Sequence, residues 1–131
     1  MIAGIGAKVG DNVTYAAFKV ADKLPTSFGY TAEDLFKNAV TPNKHGISPI
    51  LRAIDKHSSR PESAYSAATG SPEAKSAAGQ QLVESIMSNL DTIVKNSTTS
   101  RYGEIVDLIA PDGRGIRFGV DGRFIGILEP K

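Results

Sequence analysis

The dipeptide Asp121-Gly122 separates two runs of alternating residues, Arg114 to Val120 and Arg123 to Leu128. Asp-Gly between such runs is a strong signal for a β-hairpin, because both central residues of the favoured two-residue turn need a positive φ. A further alternating run, from Tyr102 to Ala110, comes before them and is joined by Pro111-Asp112-Gly113. The C-terminal part of the chain therefore predicts an antiparallel meander of three strands.

A two-residue turn also fixes which residues of the last hairpin share a face. One face would pair Val120 with Arg123, Phe118 with Ile125, Ile116 with Ile127, and Arg114 with Glu129. Because the centre of this face is apolar, we expect it to pack on helices, with Arg114 and Glu129 forming an ion pair. The other face would pair Gly119 with Phe124, Arg117 with Gly126, and Gly115 with Leu128. Arg117 would then stand among glycines on an open surface.

Upstream of this region, apolar residues recur at helical spacing. The pattern predicts helices over residues 11–24, 31–40, 50–57 and 71–95, and Ser48-Pro49 and Ser71-Pro72 are typical helix starts. The last of these helices would bury Leu82, Ile86, Leu90, Ile93 and Val94, and residues 96–100 would form a linker. The fold class is therefore α+β, with N-terminal helices followed by a C-terminal antiparallel β-meander packed on the helices by one face.

The amino-acid composition argues against several classes of function. A chain of 131 residues suits one compact domain, and 15 basic against 14 acidic residues argue against a general nucleic-acid coat. The absence of cysteine and the presence of only two histidines disfavour a metal site, so we expect no metal and no cofactor. No apolar run approaches the ~18 residues that suggest a membrane-spanning helix.

One segment, residues 41–60, departs from this neutral balance. It carries four cations and one carboxylate, a local charge of +3, in the residues Lys44, Arg52, Lys56 and Arg60 against Asp55. His45 and His57 lie in the same stretch. A local excess of this kind favours an anionic partner, although a solvated loop would also explain it.

Three places could carry chemistry. His57 is the best candidate for proton transfer, since it follows the apolar face of its helix and histidine titrates near neutrality. The alternative is a packing or capping residue. Arg117 could hold a phosphate, or could simply be solvated. Thr99, Ser100 and Arg101 precede a strand and could bind phosphate oxygens, or could form an ordinary polar linker.

Two runs of sequence resemble the C-terminal toxin domains of bacterial polymorphic toxins, which end contact-dependent inhibition exoproteins and Rhs proteins. The first contains Lys56-His57-Ser58-Ser59-Arg60-Pro61-Glu62-Ser63-Ala64-Tyr65, then Thr69-Gly70-Ser71-Pro72 and Gly79-Gln80. The second contains Arg101-Tyr102-Gly103, Ala110-Pro111-Asp112-Gly113-Arg114-Gly115 and Asp121-Gly122-Arg123-Phe124. The resemblance covers roughly residues 55–130. It implies a toxin nuclease core over residues 51–131, after a helical N-terminal segment of residues 1–50 that serves as a cap or in delivery.

The resemblance implies a small ribonuclease of the barnase, EndoU, colicin and RelE type, often directed at transfer RNA. Its expected chemistry is attack of the RNA 2′-hydroxyl on the neighbouring phosphate, giving a cyclic phosphate without metal. Its expected partners are RNA, a cognate immunity protein and, for some such toxins, a translation elongation factor. It would be delivered as part of a larger exoprotein and act in the cytoplasm of a target bacterium. The alternatives are a toxin that acts on DNA or a nucleotide, and a non-catalytic immunity or adaptor module.

By position, the resemblance makes His57 the acid/base residue. Lys56, Arg60 and Arg117 would hold or polarise the scissile phosphate, and Thr99 or Ser100 would orient it. The further substrate-binding residues expected are Arg101, Arg114, Lys44 and His45. This site requires the His57 imidazole to lie close to Arg117, and a two-histidine mechanism would require His45 beside it.

Overall fold

The computed structural model describes residues 15–25 and 27–130, and it places three α-helices before a four-stranded antiparallel sheet. Two short 3₁₀ helices, Tyr15–Ala17 and Lys19–Lys23, precede them. The helices are α1 (Ala32–Val40), α2 (Pro49–Ser58) and α3 (Pro72–Ser88), and the strands are β1 (Ile93–Thr99), β2 (Gly103–Ile109), β3 (Gly115–Gly119) and β4 (Phe124–Leu128). The strand order is β1-β2-β3-β4. The predicted α+β class is confirmed.

Each α-helix begins at a hydroxyl side chain that caps it. Thr31 and Asp34 form a reciprocal capping box at α1. The hydroxyls of Ser48 and Ser71 accept backbone N–H groups in the first turns of α2 and α3, and a proline follows each serine. The predicted starts of these helices are therefore confirmed.

The predicted helix over residues 11–24 is wrong for its described part. Residues 11–14 lie outside the described residues, and the two 3₁₀ helices that follow are separated by Phe18 in an extended conformation. The Phe18 ring packs against the rings of Tyr15 and Phe36. Packing of these aromatic side chains accompanies the interruption of the regular helix.

The predicted long helix over residues 71–95 ends early, at Ser88. The Asn89 side chain accepts the N–H of Asp91, and the Thr92 hydroxyl donates to the Ile86 carbonyl. These local bonds compete with continuation of the helix. The Lys23 ammonium also donates to the carbonyl oxygens of Leu90 and Thr92, at 2.7 and 2.6 Å.

The early helix end overturns two further expectations. Leu90 and Ile93 were expected in the core, but they are 69% and 55% exposed. The expected linker over residues 96–100 mostly belongs to strand β1, which pairs with β2 from Ile93↔Ile109 to Thr99↔Gly103. Because β1 is an edge strand with largely exposed side chains, its sequence lacks the apolar alternation that identifies β2 to β4.

One hydrophobic core lies between the helices and one face of the sheet. The sheet contributes Val106, Leu108, Ile116, Phe118 and Ile127, and the helices contribute Leu35, Phe36, Ile50, Ile54, Val83, Ile86 and Met87. The meander therefore packs on the helices by one face, as predicted. Within the described ranges, no helix is long and apolar enough to cross a membrane.

The register of the last hairpin is partly as predicted. Ile116↔Ile127, Arg117↔Gly126 and Gly115↔Leu128 are confirmed. A register shift then occurs between Arg117 and Phe118, so that Phe118 lies opposite Phe124. The predicted pairs of Phe118 with Ile125, Gly119 with Phe124, and Val120 with Arg123 are therefore wrong.

The turn itself explains the shift. The Gly119 N–H donates to the Arg123 carbonyl and the Gly122 N–H donates to the Gly119 carbonyl, so the loop has three residues, Val120 to Gly122. Gly122 has a φ of +83°. A three-residue loop ending in a left-handed glycine is the next commonest hairpin connection after the two-residue turn.

We predict that Gly122→Ala destabilises the fold. An L-residue at this φ costs about 1–2 kcal/mol, and an added Cβ would also lie 2.8 Å from the Tyr30 ring. Gly126→Ala is the matched control, since nothing lies within 4 Å of its Cβ position. Denaturant unfolding should show a lower midpoint for Gly122→Ala than for Gly126→Ala. Equal midpoints would contradict this account of the turn.

Candidate active site

The Glu129 carboxylate, directly after β4, connects three segments of the chain. It accepts hydrogen bonds from the Ser63 hydroxyl at 2.6 Å and the Ala64 N–H at 2.9 Å, and its Oε2 lies 2.9 Å from Nδ1 of His57. The predicted ion pair between Arg114 and Glu129 is wrong. Arg114 Nε instead contacts Asp112 Oδ2 at 2.9 Å, because Glu129 is taken by α2 and the loop that follows it.

The ionisation of Glu129 determines the tautomer of His57. Burial opposes ionisation of this carboxyl, but the hydrogen bonds from Ser63, Ala64 and His57 outweigh burial and lower its pKa to about 2. An ionised carboxylate only accepts hydrogen bonds, so Nδ1 of His57 must carry a proton. In the neutral imidazole, Nε2 is then the unprotonated nitrogen.

The Arg60 guanidinium is a second group close to the His57 ring. Its Nη1 lies 3.3 Å from Nδ1 of His57, whereas the Glu129 oxygen lies at 2.9 Å. Because a protonated Nδ1 cannot also accept a hydrogen bond from a guanidinium, the shorter contact with Glu129 determines the tautomer. Arg60 therefore acts as a neighbouring cation.

Tyr65 supports the imidazole from the side. The two rings meet edge to face with their centroids 6.0 Å apart, and only 14% of the His57 side chain is exposed. The Tyr65 hydroxyl donates to the Leu128 carbonyl at 2.6 Å and accepts the Gly115 N–H at 3.1 Å. Burial raises the pKa of Tyr65 to about 12, so the hydroxyl stays protonated. Its hydrogen bonds to the backbone of Leu128 and Gly115 fix the loop on β3 and β4.

His57 lies at one end of an open groove of about 550 Å³ between α2, the loop after α1 and β4. Arg52 and Lys56, one turn apart on α2, line the same groove. Within the described ranges, no carboxylate forms an ion pair with either cation. With Nδ1 engaged, Nε2 is the atom of His57 that is available to accept a proton from a molecule held by these cations.

Lys44 and His45 lie in the loop between α1 and α2, where both are exposed. The Asn43 side-chain oxygen accepts the N–H groups of His45 and Ile47 and shapes this loop. Thr41, Asn43 and Ile47 line the groove that contains His57, and Lys44 and His45 do not. The expected pairing of His45 with His57 stays a prediction.

The structure also separates Arg117 from His57. Arg117 projects from the sheet face opposite the helices, where its guanidinium binds the Asp107 carboxylate through two bonds of 2.8 and 3.0 Å. The hydrogen bond to Asp107 raises the pKa of Arg117. His57 lies on the helix-facing side with Glu129. The expected closeness of Arg117 and His57 is not observed, because the sheet lies between them.

Thr99, Ser100 and Arg101 lie at the turn from β1 to β2. The Thr99 hydroxyl accepts the Tyr102 N–H and donates to the Gly103 carbonyl, which closes this turn. The turn belongs to the far edge of the sheet, three strands and about 14 Å from β4. The structure therefore does not bring these residues to His57.

Of the expected site residues, the structure gathers His57, Lys56 and Arg60, and Arg114 lies beside them with its guanidinium 5.8 Å from the centre of the Tyr65 ring. Sequence reasoning missed Arg52, Ser63, Tyr65 and Glu129 as site residues. The spacing of four between Arg52 and Lys56 could have identified the first. The others depend on a loop folding over the end of β4, which no local pattern reveals.

The described part of the chain contains no cluster of three His, Cys, Asp or Glu side chains able to hold a metal ion.

The sequence matches the family model for the CdiA C-terminal tRNase toxin domain over residues 36–129. Among solved structures, the fold is similar to the toxic C-terminal tip of CdiA from Pseudomonas aeruginosa, determined in complex with an immune protein. The TM-score is 0.58 at 23% identity, over 71% of this chain and 99% of that chain, which shows a shared fold. No curated protein sequence matches this chain.

We predict that Glu129→Gln changes how stability depends on pH. A carboxyl whose pKa is lowered from 4.5 to about 2 stabilises the fold fully above pH 4.5, and this contribution is lost as the pH falls towards 2. The variant should therefore be less stable at pH 7 and should lose less stability over the window from 4.5 to 2. Denaturant unfolding across this range tests the slope. Glu62→Gln, an exposed residue of the loop that Glu129 contacts, is the control. Identical slopes in both variants would contradict the role given to Glu129.

Proposed function

This chain belongs to the CdiA C-terminal tRNase toxin domain family, and on that premise we propose that it cleaves transfer RNA in the groove between α2 and β4. The family is one of ribonuclease toxin domains. The observation that supports this position is the pairing of His57 Nδ1 with Glu129, at 2.9 Å, beside Arg52 and Lys56, two cations that are in no ion pair within the described residues. This arrangement puts a proton acceptor and phosphate-binding groups in the same groove.

The proposed reaction begins when Nε2 of His57 takes the proton of a ribose 2′-hydroxyl. The 2′-oxygen then forms a bond to the adjacent phosphorus, and the bond from phosphorus to the 5′-oxygen breaks. The 5′-oxygen takes a proton from water, and the imidazolium returns its proton to solvent. The products are a 2′,3′-cyclic phosphate and a 5′-hydroxyl, and the proton transfers use only the His57 side chain and water.

Charge stabilisation is assigned to the cations around the imidazole. Arg52, Lys56 and Arg60 would contact the non-bridging oxygens of the phosphate, where negative charge increases in the transition state. The Glu129 carboxylate would stabilise the imidazolium that forms and keep the ring oriented, as a carboxylate does for histidine in other proton-transfer sites. Arg117 and Thr99 have no part in this mechanism, because they lie away from the groove.

The biological setting is also part of the proposal. CdiA C-terminal toxin domains are parts of larger exoproteins delivered to target cells, and this one would act in the cytoplasm, where its substrate is found. A cognate immunity protein would bind and neutralise it, which is consistent with the immune protein bound to the structurally similar CdiA tip. Dependence on an elongation factor stays a prediction.

We predict that His57→Ala lowers RNA cleavage by about 10²- to 10⁴-fold, the usual contribution of a general base. The protein would be incubated with total tRNA in excess chelator, alone and with extract of a target cell that could supply an activator. New RNA ends would be sequenced and tested for a cyclic phosphate. Lys19→Ala, an exposed cation on the second 3₁₀ helix, is the control and should cleave normally.

Three results would contradict this function. Full activity of the His57→Ala variant would remove His57 from the chemistry. Cleavage that stops in chelator would require a metal-dependent reaction. Nicking of plasmid DNA with no change in RNA would favour the alternative that the toxin acts on DNA.

A further inference from the structure

We propose that Phe124 forms a nucleobase-binding subsite next to the cleavage position, where one unpaired base of the substrate stacks on its ring. This inference rests on the proposed function of the same groove. It names the substrate as RNA that is single-stranded at the cleaved segment.

The hairpin register directs Phe124 to the groove. In a regular two-residue hairpin this ring would lie opposite Gly119, on the sheet face away from the helices. The observed register shift instead puts it opposite Phe118, on the helix-facing side. Phe124 is half-buried there, with its ring 5.8 Å from that of Phe118 in an edge-to-face contact. Bulges next to active sites commonly re-aim a side chain in this way.

Phe124 lies where two grooves meet. The first is the groove that contains His57, and the second is lined by Asn38, Asp121 and Arg123; Phe124 and Pro49 line both. The first groove follows α2 from Pro49 to His57, and the second continues it past Phe124 to Arg123. Helix residues advance about 1.5 Å each, so the α2 wall alone is about 12 Å long and the path accommodates more than one nucleotide.

The charges along this path indicate a polyanionic occupant. Arg52, Lys56 and Arg123 line it, and within the described ranges none of them is in an ion pair. Three other cations, Lys37, Arg114 and Arg117, are instead paired with Glu33, Asp112 and Asp107. Cations without carboxylate partners on either side of an aromatic ring suit a chain of alternating phosphates and bases.

The second groove also presents hydrogen-bond acceptors. Asp121 contributes a carboxylate, and Asn38 donates its amide N–H to the Gly122 carbonyl at 2.7 Å, which leaves its side-chain oxygen to accept. Such acceptors suit the amino group of a base, and a carboxylate ligand has no matching donor. This combination favours RNA over an acidic protein surface as the occupant of the subsite.

A base can stack on Phe124 only when it is free of its own strand. Bases in duplex RNA are paired and stacked, and sequence-tolerant recognition by aromatic side chains is a feature of single-stranded segments. The subsite therefore selects a loop or another unpaired region of the substrate.

The test measures binding without cleavage. The probe is a short 2′-O-methyl RNA that contains 2-aminopurine, which lacks the attacking hydroxyl and reports stacking by fluorescence quenching. The variants are Phe124→Leu, which keeps an apolar side chain against Phe118, and Phe124→Tyr, which keeps the aromatic ring. Tyr102→Leu, on the opposite edge of the sheet, removes an exposed aromatic ring as the matched control. Circular dichroism verifies the fold of each variant.

We expect wild type, Phe124→Tyr and Tyr102→Leu to bind the single-stranded probe with quenching. Phe124→Leu should bind it about 5- to 100-fold more weakly and without quenching, and a duplex of the same sequence should bind wild type weakly. Equal binding and quenching by wild type and Phe124→Leu would overturn the subsite, as would equal affinity for duplex and single strand. Tighter binding of polyglutamate than of the probe would identify an acidic protein as the occupant and would also overturn it. Since the probe cannot be cleaved, these outcomes are independent of the His57 result.

Discussion

The proposed active site depends on the contacts of one carboxylate, that of Glu129. It receives hydrogen bonds from Ser63 and Ala64 in the loop after α2, and it holds His57 in the last turn of α2 itself. These contacts attach the end of β4 to two segments that precede it by more than 60 residues. Because several donors compensate its burial, the carboxylate stays ionised, and an ionised acceptor fixes the proton on Nδ1 of the imidazole.

The distribution of charge separates the two faces of the sheet. On the outer face, Arg117 is satisfied by Asp107, which is itself only 5% exposed, so this pair fixes β2 against β3 and leaves little for a substrate to bind. On the helix-facing side, Arg52 and Lys56 stand along the groove without carboxylate partners in the described part of the chain. The basic segment of this nearly neutral protein thus presents a local cationic surface, which agrees with membership of a tRNase toxin family.

The sequence predicts most of the fold because its signals are local. Capping serines, proline in a first turn and an Asp-Gly loop act within a few residues, and each marks an element that the structure contains. The sequence-based prediction fails for β1, because the polar residues of this edge strand resemble a linker. It also fails at the last hairpin, where a turn longer by one residue moves Phe124 to the other face of the sheet. For the proposed site, the basic segment and the helix edge indicate His57 and Lys56. Arg117 lies on the sheet face away from the helices, as predicted, but His57 lies on the other side, and no local pattern shows on which side of the sheet a helix residue will lie. Glu129 was missed because its partners come together only on folding.

The tautomer of His57 tests the central claim most directly, since it distinguishes the two groups that approach Nδ1. A carboxylate at 2.9 Å requires a proton on this nitrogen, whereas a guanidinium bonded there would require a bare nitrogen. Nitrogen-15 NMR of the neutral imidazole reports which nitrogen is protonated. The structure predicts a proton on Nδ1 and a free Nε2. A proton on Nε2, with Nδ1 bare and facing Arg60, would contradict the role of Glu129 and the mechanism that depends on it.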